Sequence, residues 1–188
     1  MSNKKSQSGM SRRDFIKTTS AVTLAAAMPR SGGLFAAGSD KIRVGMIGCG
    51  GRGTGAAVNC IEARPDAVIT AMGDLFEDHL ENSFKRLTEK VPKKNLAVTK
   101  ERLFTGFDAY KKVLSTDVDL VIMASPPHFR PIHLKAAVEA GKHVFMEKPV
   151  AVDPPGVRSI IASSELAEKK GLAIVAGTQR RHQAHYLE

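Results

Sequence analysis

Hydrophobic positions follow two kinds of spacing along the chain: short continuous apolar runs alternate with stretches in which apolar residues recur every three or four positions. Continuous runs rich in β-branched residues are typical of buried strands, and the wider spacing is typical of amphipathic helices. On this basis strands are predicted at 41–47, 67–72, 103–104, 119–124, 143–146 and 172–176. Helices are predicted at 52–64, 76–90, 108–114, 132–140 and 155–170.

The alternation of strands with helices predicts the fold class. Residues 119–124 are almost uninterruptedly apolar, which suits a parallel strand covered on both faces. Gly141 and Gly171 follow two of the predicted helices, at the position where a left-handed cap is favoured. Because crossovers between parallel strands are right-handed, the helices are expected on both faces of one sheet. The sequence therefore predicts an α/β fold with a doubly wound parallel sheet, the Rossmann dinucleotide-binding fold.

Composition and charge exclude several classes of protein. The chain has 188 residues, 43% hydrophobic and 25% charged, with a formal net charge of +9. Residues 1–38 hold six basic residues and one acidic residue, whereas charges of both signs are interspersed in the remainder. Because there is no basic stripe, no nucleic-acid function is expected. Two cysteines exclude a disulfide scaffold, and no apolar run is long enough for a stable membrane span.

The basic leader has the layout of an export signal. The segment SRRDFIK at 11–17 precedes a modestly apolar stretch at 18–28. Paired arginines with a phenylalanine two positions on resemble the twin-arginine signal of bacteria. The alternative is an amphipathic N-terminal helix of the mature protein. The leader predicts export to the periplasm by the twin-arginine translocation machinery, with cleavage after Ala27 or near Ala37.

The first predicted strand runs into a glycine-rich turn. The segment GCGGRG at 48–53 fits the G-x-G-x-x-G pattern, follows a strand and opens a helix. Gly48 permits the tight turn, Gly50 lets the backbone approach a pyrophosphate, and Gly53 lets the helix pack against the strand. The N–H groups at the start of the helix then face the diphosphate. The turn therefore predicts a cofactor-binding site at Gly48, Gly50, Gly51 and Gly53.

Two charged residues lie close to this turn. Asp74 ends the second predicted strand, 21 residues beyond Gly53. A carboxylate there accepts hydrogen bonds from the adenosine ribose and repels a 2′-phosphate, which favours NAD over NADP. The alternative for Asp74 is a turn or helix-capping role ahead of Phe76. Arg52 either helps to neutralise the pyrophosphate or is a solvated residue of the first helical turn.

The cysteines and the remaining histidines give no metal prediction. Cys49 and Cys60 have no metal-ligand spacing and are expected to be small buried packing residues. His128, His182 and His185 invite a metal interpretation, since the last two could share a helical face. No carboxylate or thiol completes a ligand set with them.

Two later turns carry further candidate chemistry. The fourth strand runs into SPPHFRPIH at 125–133, and the fifth runs into EKP at 147–149. Both turns are expected at the carboxyl edge of the sheet, where open α/β sheets bind ligands. Together with AGKHVF at 140–145 and GTQRR at 177–181, they resemble the Gfo/Idh/MocA oxidoreductases, relatives of glucose–fructose oxidoreductase and inositol dehydrogenase. The resemblance covers residues 41–188.

The resemblance implies a catalytic role for Lys148 beside the nicotinamide and the substrate. Partial desolvation and the positive charge of an oxidised nicotinamide favour release of the lysine's proton, which suits proton exchange with a sugar hydroxyl. The alternative is an exposed lysine after a strand. Pro149 is implied to shape the turn, often through a cis peptide bond. His133 matches a histidine common in the following helix and is expected to be structural.

Further residues are implied to hold the cofactor. The segment at 125–126 matches the part of the family that passes under the cofactor, and the segment at 179–180 matches positions that approach its nicotinamide end. With the residues of the glycine-rich turn, the predicted cofactor-binding set is Gly48, Gly50, Gly51, Arg52, Gly53, Asp74, Ser125, Pro126, His128, Glu147, Lys148, Pro149, Gln179 and Arg180.

The chain is expected to have three segments, and three alternative functions are open. Residues 1–38 are interpreted as signal and linker, 39–178 as the NAD-binding domain, and 179–188 as the start of a connection. The resemblance implies a second α/β domain that supplies the substrate pocket, an Asp-x-x-x-His motif and a homo-oligomer interface, and this domain is missing from the 188 residues. The open functions are the nucleotide-binding half of an NAD(P)-dependent oxidoreductase acting on a sugar or polyol, a non-catalytic NAD-binding module, and an NAD-dependent glycosidase of the same superfamily.

Overall fold

The computed structural model describes residues 41–186, so the predicted export signal lies outside the described part of the chain. These residues form a sheet of six parallel strands in the spatial order β3-β2-β1-β4-β5-β6. The strands are β1 (Ile42–Ile47), β2 (Ala67–Asp74), β3 (Leu103–Thr105), β4 (Leu120–Met123), β5 (His143–Met146) and β6 (Ile174–Ala176). The predicted parallel α/β sheet is therefore confirmed.

Helices cover both faces of the sheet. They are α1 (Gly51–Ala63), α2 (Glu77–Lys90), α3 (Ala109–Leu114), α4 (Arg130–Glu139) and α5 (Pro154–Lys169). Buried side chains of α1 and α2 form one apolar core with β1 and β2, and those of α3, α4 and α5 form a second core with β4 and β5. Two cores on opposite faces are what a doubly wound sheet requires. None of the helices within residues 41–186 is long and apolar enough to cross a membrane.

Several element boundaries differ from the predictions. Helix α4 begins at Arg130, two residues before the predicted start, because Pro131 is tolerated in a first helical turn. Strand β6 begins only at Ile174. Phe76 precedes α2 instead of lying on its apolar face, and 54% of it is exposed. Cys49 is buried as expected, but Cys60 is only half-buried.

The strand order reverses between β1 and β4, and this reversal positions the site. Backbone hydrogen bonds join the residues that follow these strands to the neighbouring strand. Gly48, just beyond β1, donates its N–H to Gly73 O of β2 at 2.9 Å, and Ala124, just beyond β4, donates its N–H to Ile47 O of β1 at 2.8 Å. One strand further along, Glu147 N–H donates to Met123 O at 2.9 Å. The turns after β1, β4 and β5 therefore meet at one carboxyl edge, where open α/β sheets bind ligands.

Candidate functional site

Two glycines of the glycine-rich turn are required by close packing. Gly48 has a φ of +93°, and a Cβ there would lie 2.5 Å from the backbone nitrogen of Ser125. A Cβ on Gly53 would lie 2.0 Å from the carbonyl oxygen of Gly48. A Cβ on Gly50, by contrast, would meet no described atom within 4 Å. Gly50 therefore faces open space from which a ligand can approach the backbone.

The first turn of α1 presents its backbone N–H groups to this open space. Gly50 is the N-cap residue and has no side chain to cap the helix, and the first turn contains no acidic residue. The hydroxyl of Thr54 instead contacts Gly50 O at 3.0 Å and the hydroxyl of Ser83 at 2.8 Å, which fixes α1 against α2. A helix start with uncapped N–H groups is suited to an anion such as a diphosphate.

Asp74 lies beside the turn with both carboxylate oxygens engaged. Its Oδ2 accepts a hydrogen bond from Cys49 N–H at 2.5 Å, and its Oδ1 accepts one from Phe76 N–H at 3.0 Å. The imidazole of His79 lies 3.5 Å from Oδ1. The turn role that was the alternative for Asp74 is thus present. Each carboxylate oxygen has further acceptor capacity, so the ribose role stays a prediction.

A cavity of about 300 Å³ lies between the glycine-rich turn and the ends of β2, β3 and β4. Asp74 and Gly50 line it together with the aromatic residues Phe76, Phe107 and Tyr110. Phe76 and Phe107 are 54% and 74% exposed, so the cavity has an apolar wall that is open to solvent. The sequence analysis missed Phe107, although its position just after β3 placed it at the same edge as the glycine-rich turn.

His133 forms part of the cavity wall and is packed as a structural residue. Its Nδ1 lies 3.0 Å from the Ser125 hydroxyl, and its ring stacks on Tyr110 with the ring centroids 4.3 Å apart. Burial lowers the pKa of His133 to about 4. The imidazole is therefore neutral at neutral pH, and it fixes Ser125 at the end of β4.

Arg52 and Glu147 form an ion pair across this edge. Arg52 Nε donates to Glu147 Oε1 at 2.7 Å, and its Nη2 contacts the same oxygen. The carboxylate side chain is only 5% exposed, whereas the arginine side chain is 44% exposed. Neither interpretation of Arg52 from the sequence included this partner, which lies 95 residues away along the chain.

Arg130 is a buried arginine for which the sequence predicted no role. It is 5% exposed, and it donates to Ser125 O at 2.8 Å, to Glu147 O at 2.7 Å and to Pro149 O. These carbonyl groups belong to the turns after β4 and β5. Arg130 therefore joins the two turns, and no local motif signals it because its partners are 5 to 19 residues away.

Lys148 is exposed and follows the buried Glu147. The Lys148–Pro149 peptide bond is cis, as the resemblance implied. Within residues 41–186 the ammonium group of Lys148 has no hydrogen bond or ion pair. It is thus accessible to a molecule bound at this edge.

Only one of the remaining predicted residues lines the cavity. Pro126 lines it, whereas His128 is exposed and packs edge-on against Phe129. Gln179 and Arg180 are exposed in a short turn after β6, with Arg180 over the ring of Tyr186. His182 and His185 lie in two successive short turns, not in one helix. Among residues 41–186 no cluster of metal-ligating side chains is present.

A family model describes most of the chain. Residues 42–178 match the model of the oxidoreductase family with an NAD-binding Rossmann fold, GFO_IDH_MocA. The chain belongs to this family. Residues 9–29 match the model of the twin-arginine translocation signal sequence, so the protein is exported by that pathway, typically to the periplasm. The predicted family, export route and NAD(P)-binding fold are therefore confirmed.

Two curated relatives illustrate the range of the family. "Glycosyl hydrolase family 109 protein 2" from Shewanella sp. (strain ANA-3) is 32% identical over 181 residues, which cover 86% of this chain and 38% of the relative. The dTDP-3,4-didehydro-2,6-dideoxy-α-D-glucose 3-reductase of Actinomadura kijaniata is 28% identical over 155 residues, covering 81% of this chain and 41% of the relative. The chain thus spans about two fifths of the length of these relatives.

Solved structures share the fold. A 3-ketoreductase from Actinomadura kijaniata in complex with TDP-benzene and NADP matches with a TM-score of 0.60 and 26% identity, covering 79% of this chain and 42% of that chain. The scyllo-inositol dehydrogenase of Lactobacillus casei, with bound NAD(H) and scyllo-inositol, matches with a TM-score of 0.61 and 23% identity, covering 78% and 39%. One of these structures thus holds NADP and the other NAD(H).

Proposed function

We propose that this chain is the nucleotide-binding part of an exported NAD-dependent oxidoreductase that transfers hydride to or from a hydroxyl group of a sugar or polyol. The observation that carries the proposal is the glycine-rich turn, whose Gly50 faces open space in front of the uncapped start of α1. Membership of an NAD-binding oxidoreductase family supports the same function. The domain limits 39–178, with a connection at 179–188, form part of the proposal.

NAD is proposed over NADP because of the charge beside the cavity. The Asp74 carboxylate lines the cavity and remains able to accept hydrogen bonds from ribose hydroxyls. A 2′-phosphate at the same place would meet this negative charge. The proposed cofactor contacts are Gly48, Gly50, Gly51, Gly53, Asp74, Ser125, Pro126, His128, Glu147, Lys148, Pro149, Gln179 and Arg180.

Lys148 is proposed as the catalytic residue. A bound nicotinamide supplies the acceptor or donor of hydride when the reaction takes place. The accessible amino group of Lys148 would exchange a proton with the substrate hydroxyl, a step suited to a lysine in a partly desolvated site. The hydrogen bond from Glu147 N–H to Met123 O and the one from the Arg130 guanidinium to Glu147 O fix the turn that carries it.

A glycosidase is the second candidate function, because curated relatives with 31% to 32% identity carry the name glycosyl hydrolase family 109 protein. In an NAD-dependent glycosidase, hydride removed from the sugar is returned after elimination, so no net NADH is formed. Release of free sugar from a glycoside without net NADH would favour this candidate over the oxidoreductase.

Binding of NADH and NADPH to the purified chain tests the proposal directly. We expect NADH fluorescence to rise on binding, with NADPH binding more weakly. The Gly50→Ala variant should keep its thermal stability and lose affinity, while Gly55→Ala serves as the matched control, because its methyl group would make only an ordinary contact with Arg52 at 3.8 Å. Failure of both nucleotides to bind would contradict the proposed function.

In an exported enzyme the nucleotide is not replenished, so NAD should also be found in denatured extracts of protein purified without added nucleotide.

A further inference from the structure

The ion pair between Arg52 and Glu147 joins two turns that have different proposed tasks. Arg52 is the second residue of α1, whose start faces the proposed diphosphate site. Glu147 immediately precedes Lys148. The guanidinium binds the carboxylate through Nε at 2.7 Å and through Nη2. The pair therefore spans the carboxyl edge from the glycine-rich turn to the lysine.

Glu147 is buried, and its backbone is fixed by hydrogen bonds on both of its polar groups. Its N–H donates to Met123 O at 2.9 Å, and its carbonyl accepts from Arg130 at 2.7 Å. Behind the carboxylate lies Gly177, where a Cβ would come within 2.8 Å of Oε1. The carboxylate of Glu147 thus lies between Gly177 on one side and the guanidinium of Arg52 on the other.

The charge of Glu147 makes the pair difficult to break. A buried carboxylate that loses its partner retains an uncompensated charge, and this costs more than replacing both partners by neutral groups. Contact through two nitrogen atoms also restricts the orientation of the planar guanidinium. The pair therefore links the first turn of α1 to residue 147, which directly precedes the lysine.

We propose that Arg52 is a positioning residue that, through Glu147, couples occupancy of the glycine-rich turn to the placement of Lys148. The inference rests on the proposed function, since it takes the turn as the diphosphate site and Lys148 as the proton-exchanging residue. It differs from the predicted role of Arg52 as a direct neutraliser of the pyrophosphate. In the proposed arrangement Arg52 acts through its carboxylate partner.

Hydrogen exchange with ADP as the probe tests this coupling. ADP carries the adenosine and the diphosphate but neither the second ribose nor the nicotinamide, so it fills the glycine-rich side without the part expected beside Lys148. In the wild-type chain we expect ADP to slow amide exchange of the peptide 145–150 by about fivefold. Absence of this protection while ADP is bound would overturn the inference.

The double variant Arg52→Met/Glu147→Gln removes the pair without leaving a buried charge. At a saturating concentration of ADP, we expect this variant to lose the protection of 145–150. The single variant Arg52→Met should melt at a lower temperature than the double variant, because only the single variant leaves the carboxylate unpaired. Equal loss of ADP affinity in both variants would show direct binding of the diphosphate by Arg52 and would overturn the inference.

Two further proteins complete the experiment. Arg64→Met breaks the Arg64–Asp66 pair, which follows the same helix and is exposed, and it should leave the protection unchanged. If the double variant does not fold, Arg52→Lys keeps the charge but loses the forked contact, and its protection should fall below that of the wild type. Protection equal to the wild type in Arg52→Lys would then overturn the inference. If neither ADP nor NADH binds the wild type, the proposed function fails as well, and this outcome is distinct from binding without protection.

Discussion

The two sides of the carboxyl edge are built in different ways. The glycine side, residues 47–53, 73–76 and 106–110, surrounds an open cavity and is shaped by backbone close to other backbone. The lysine side, residues 125–130 and 146–149 with Arg52, is filled by buried charged groups that hold the turns after β4 and β5. One side offers space for a ligand, and the other fixes the turn that carries Lys148.

The two sides differ in the kind of interaction that fixes their geometry. On the glycine side the close approaches allow no side chain at Gly48 or Gly53, so a single methyl group is decisive. On the lysine side two guanidinium groups bind carbonyl and carboxylate oxygens, so the geometry depends on charged hydrogen bonds. Charged hydrogen bonds are stronger than neutral ones, but a partner left alone in a buried site is costly. We therefore expect the two sides to fail in different ways when they are mutated.

Gly53→Ala should have the largest effect, because its new methyl group would overlap the carbonyl oxygen of Gly48. We expect a loss of about 4 kcal/mol or more in the free energy of unfolding, or failure to fold. Gly50→Ala is the matched control, since its methyl group would meet no described atom within 4 Å. Urea unfolding of both variants provides the measurement. Similar stabilities for the two would contradict the packing role assigned to Gly53.

The glycine side could be predicted from the sequence because its determinants are local. The glycine spacing, the strand before it and the helix after it lie within 41–64, and hydrophobic periodicity finds such short units. The doubly wound parallel sheet followed from the alternation of strands with helices, whereas the order of the strands in it comes from the structure. The aromatic residue Phe107 was missed because a loop residue carries no periodic signal.

Arg130→Met should have the next largest effect, because it leaves the carbonyl groups of Ser125, Glu147 and Pro149 without their donor. We expect the free energy of unfolding to fall by about 3 kcal/mol. The exposed Arg158→Met on α5 provides the control and should change stability little. Urea unfolding compares the two variants, and a stability of Arg130→Met equal to that of the control would show that the lysine side does not depend on this guanidinium.

The lysine side could be predicted only in part. The EKP segment and its cis peptide bond followed from the resemblance, whereas the partners of Glu147 did not. Arg52 and Glu147 are distant along the chain and become neighbours only because β1 and β5 flank β4 in the sheet. Pairs of this kind depend on tertiary structure, which local spacing does not encode.

His133 lies where the two sides meet and should make stability depend on pH. Its pKa is lowered to about 4 by burial, whereas an unfolded histidine titrates near 6.5, so the unfolded chain binds more protons between these values. The stability that the buried neutral imidazole contributes is therefore fully present above about pH 6.5 and is lost as the pH falls toward 4. The free energy of unfolding should fall by about 2 kcal/mol between pH 7 and pH 5.

Urea unfolding of the wild type and of His133→Phe across this pH range measures the contribution. The phenylalanine keeps a ring beside Tyr110 but does not titrate. The free energy of unfolding of His133→Phe should therefore fall less with falling pH than that of the wild type. His128→Gln is the control, because His128 is exposed, and it should retain the wild-type pH dependence. An unchanged slope in His133→Phe would assign the pH dependence to another group.

Asp74→Asn is expected to have the smallest effect, and it sharpens the comparison most directly because it alters the charge of the glycine side alone. The amide keeps one acceptor for Cys49 N–H or Phe76 N–H but removes the negative charge beside the cavity. We expect NADH affinity to fall about tenfold, which is the size of one charged hydrogen bond, while NADPH loses less because its 2′-phosphate no longer meets a carboxylate. Fluorescence titration with both nucleotides measures the ratio, and the exposed Asp78→Asn in the first turn of α2 is the control. If the ratio of the two affinities stays constant in Asp74→Asn, the carboxylate acts only as the turn residue that its backbone contacts describe, and the proposed preference for NAD does not rest on its charge.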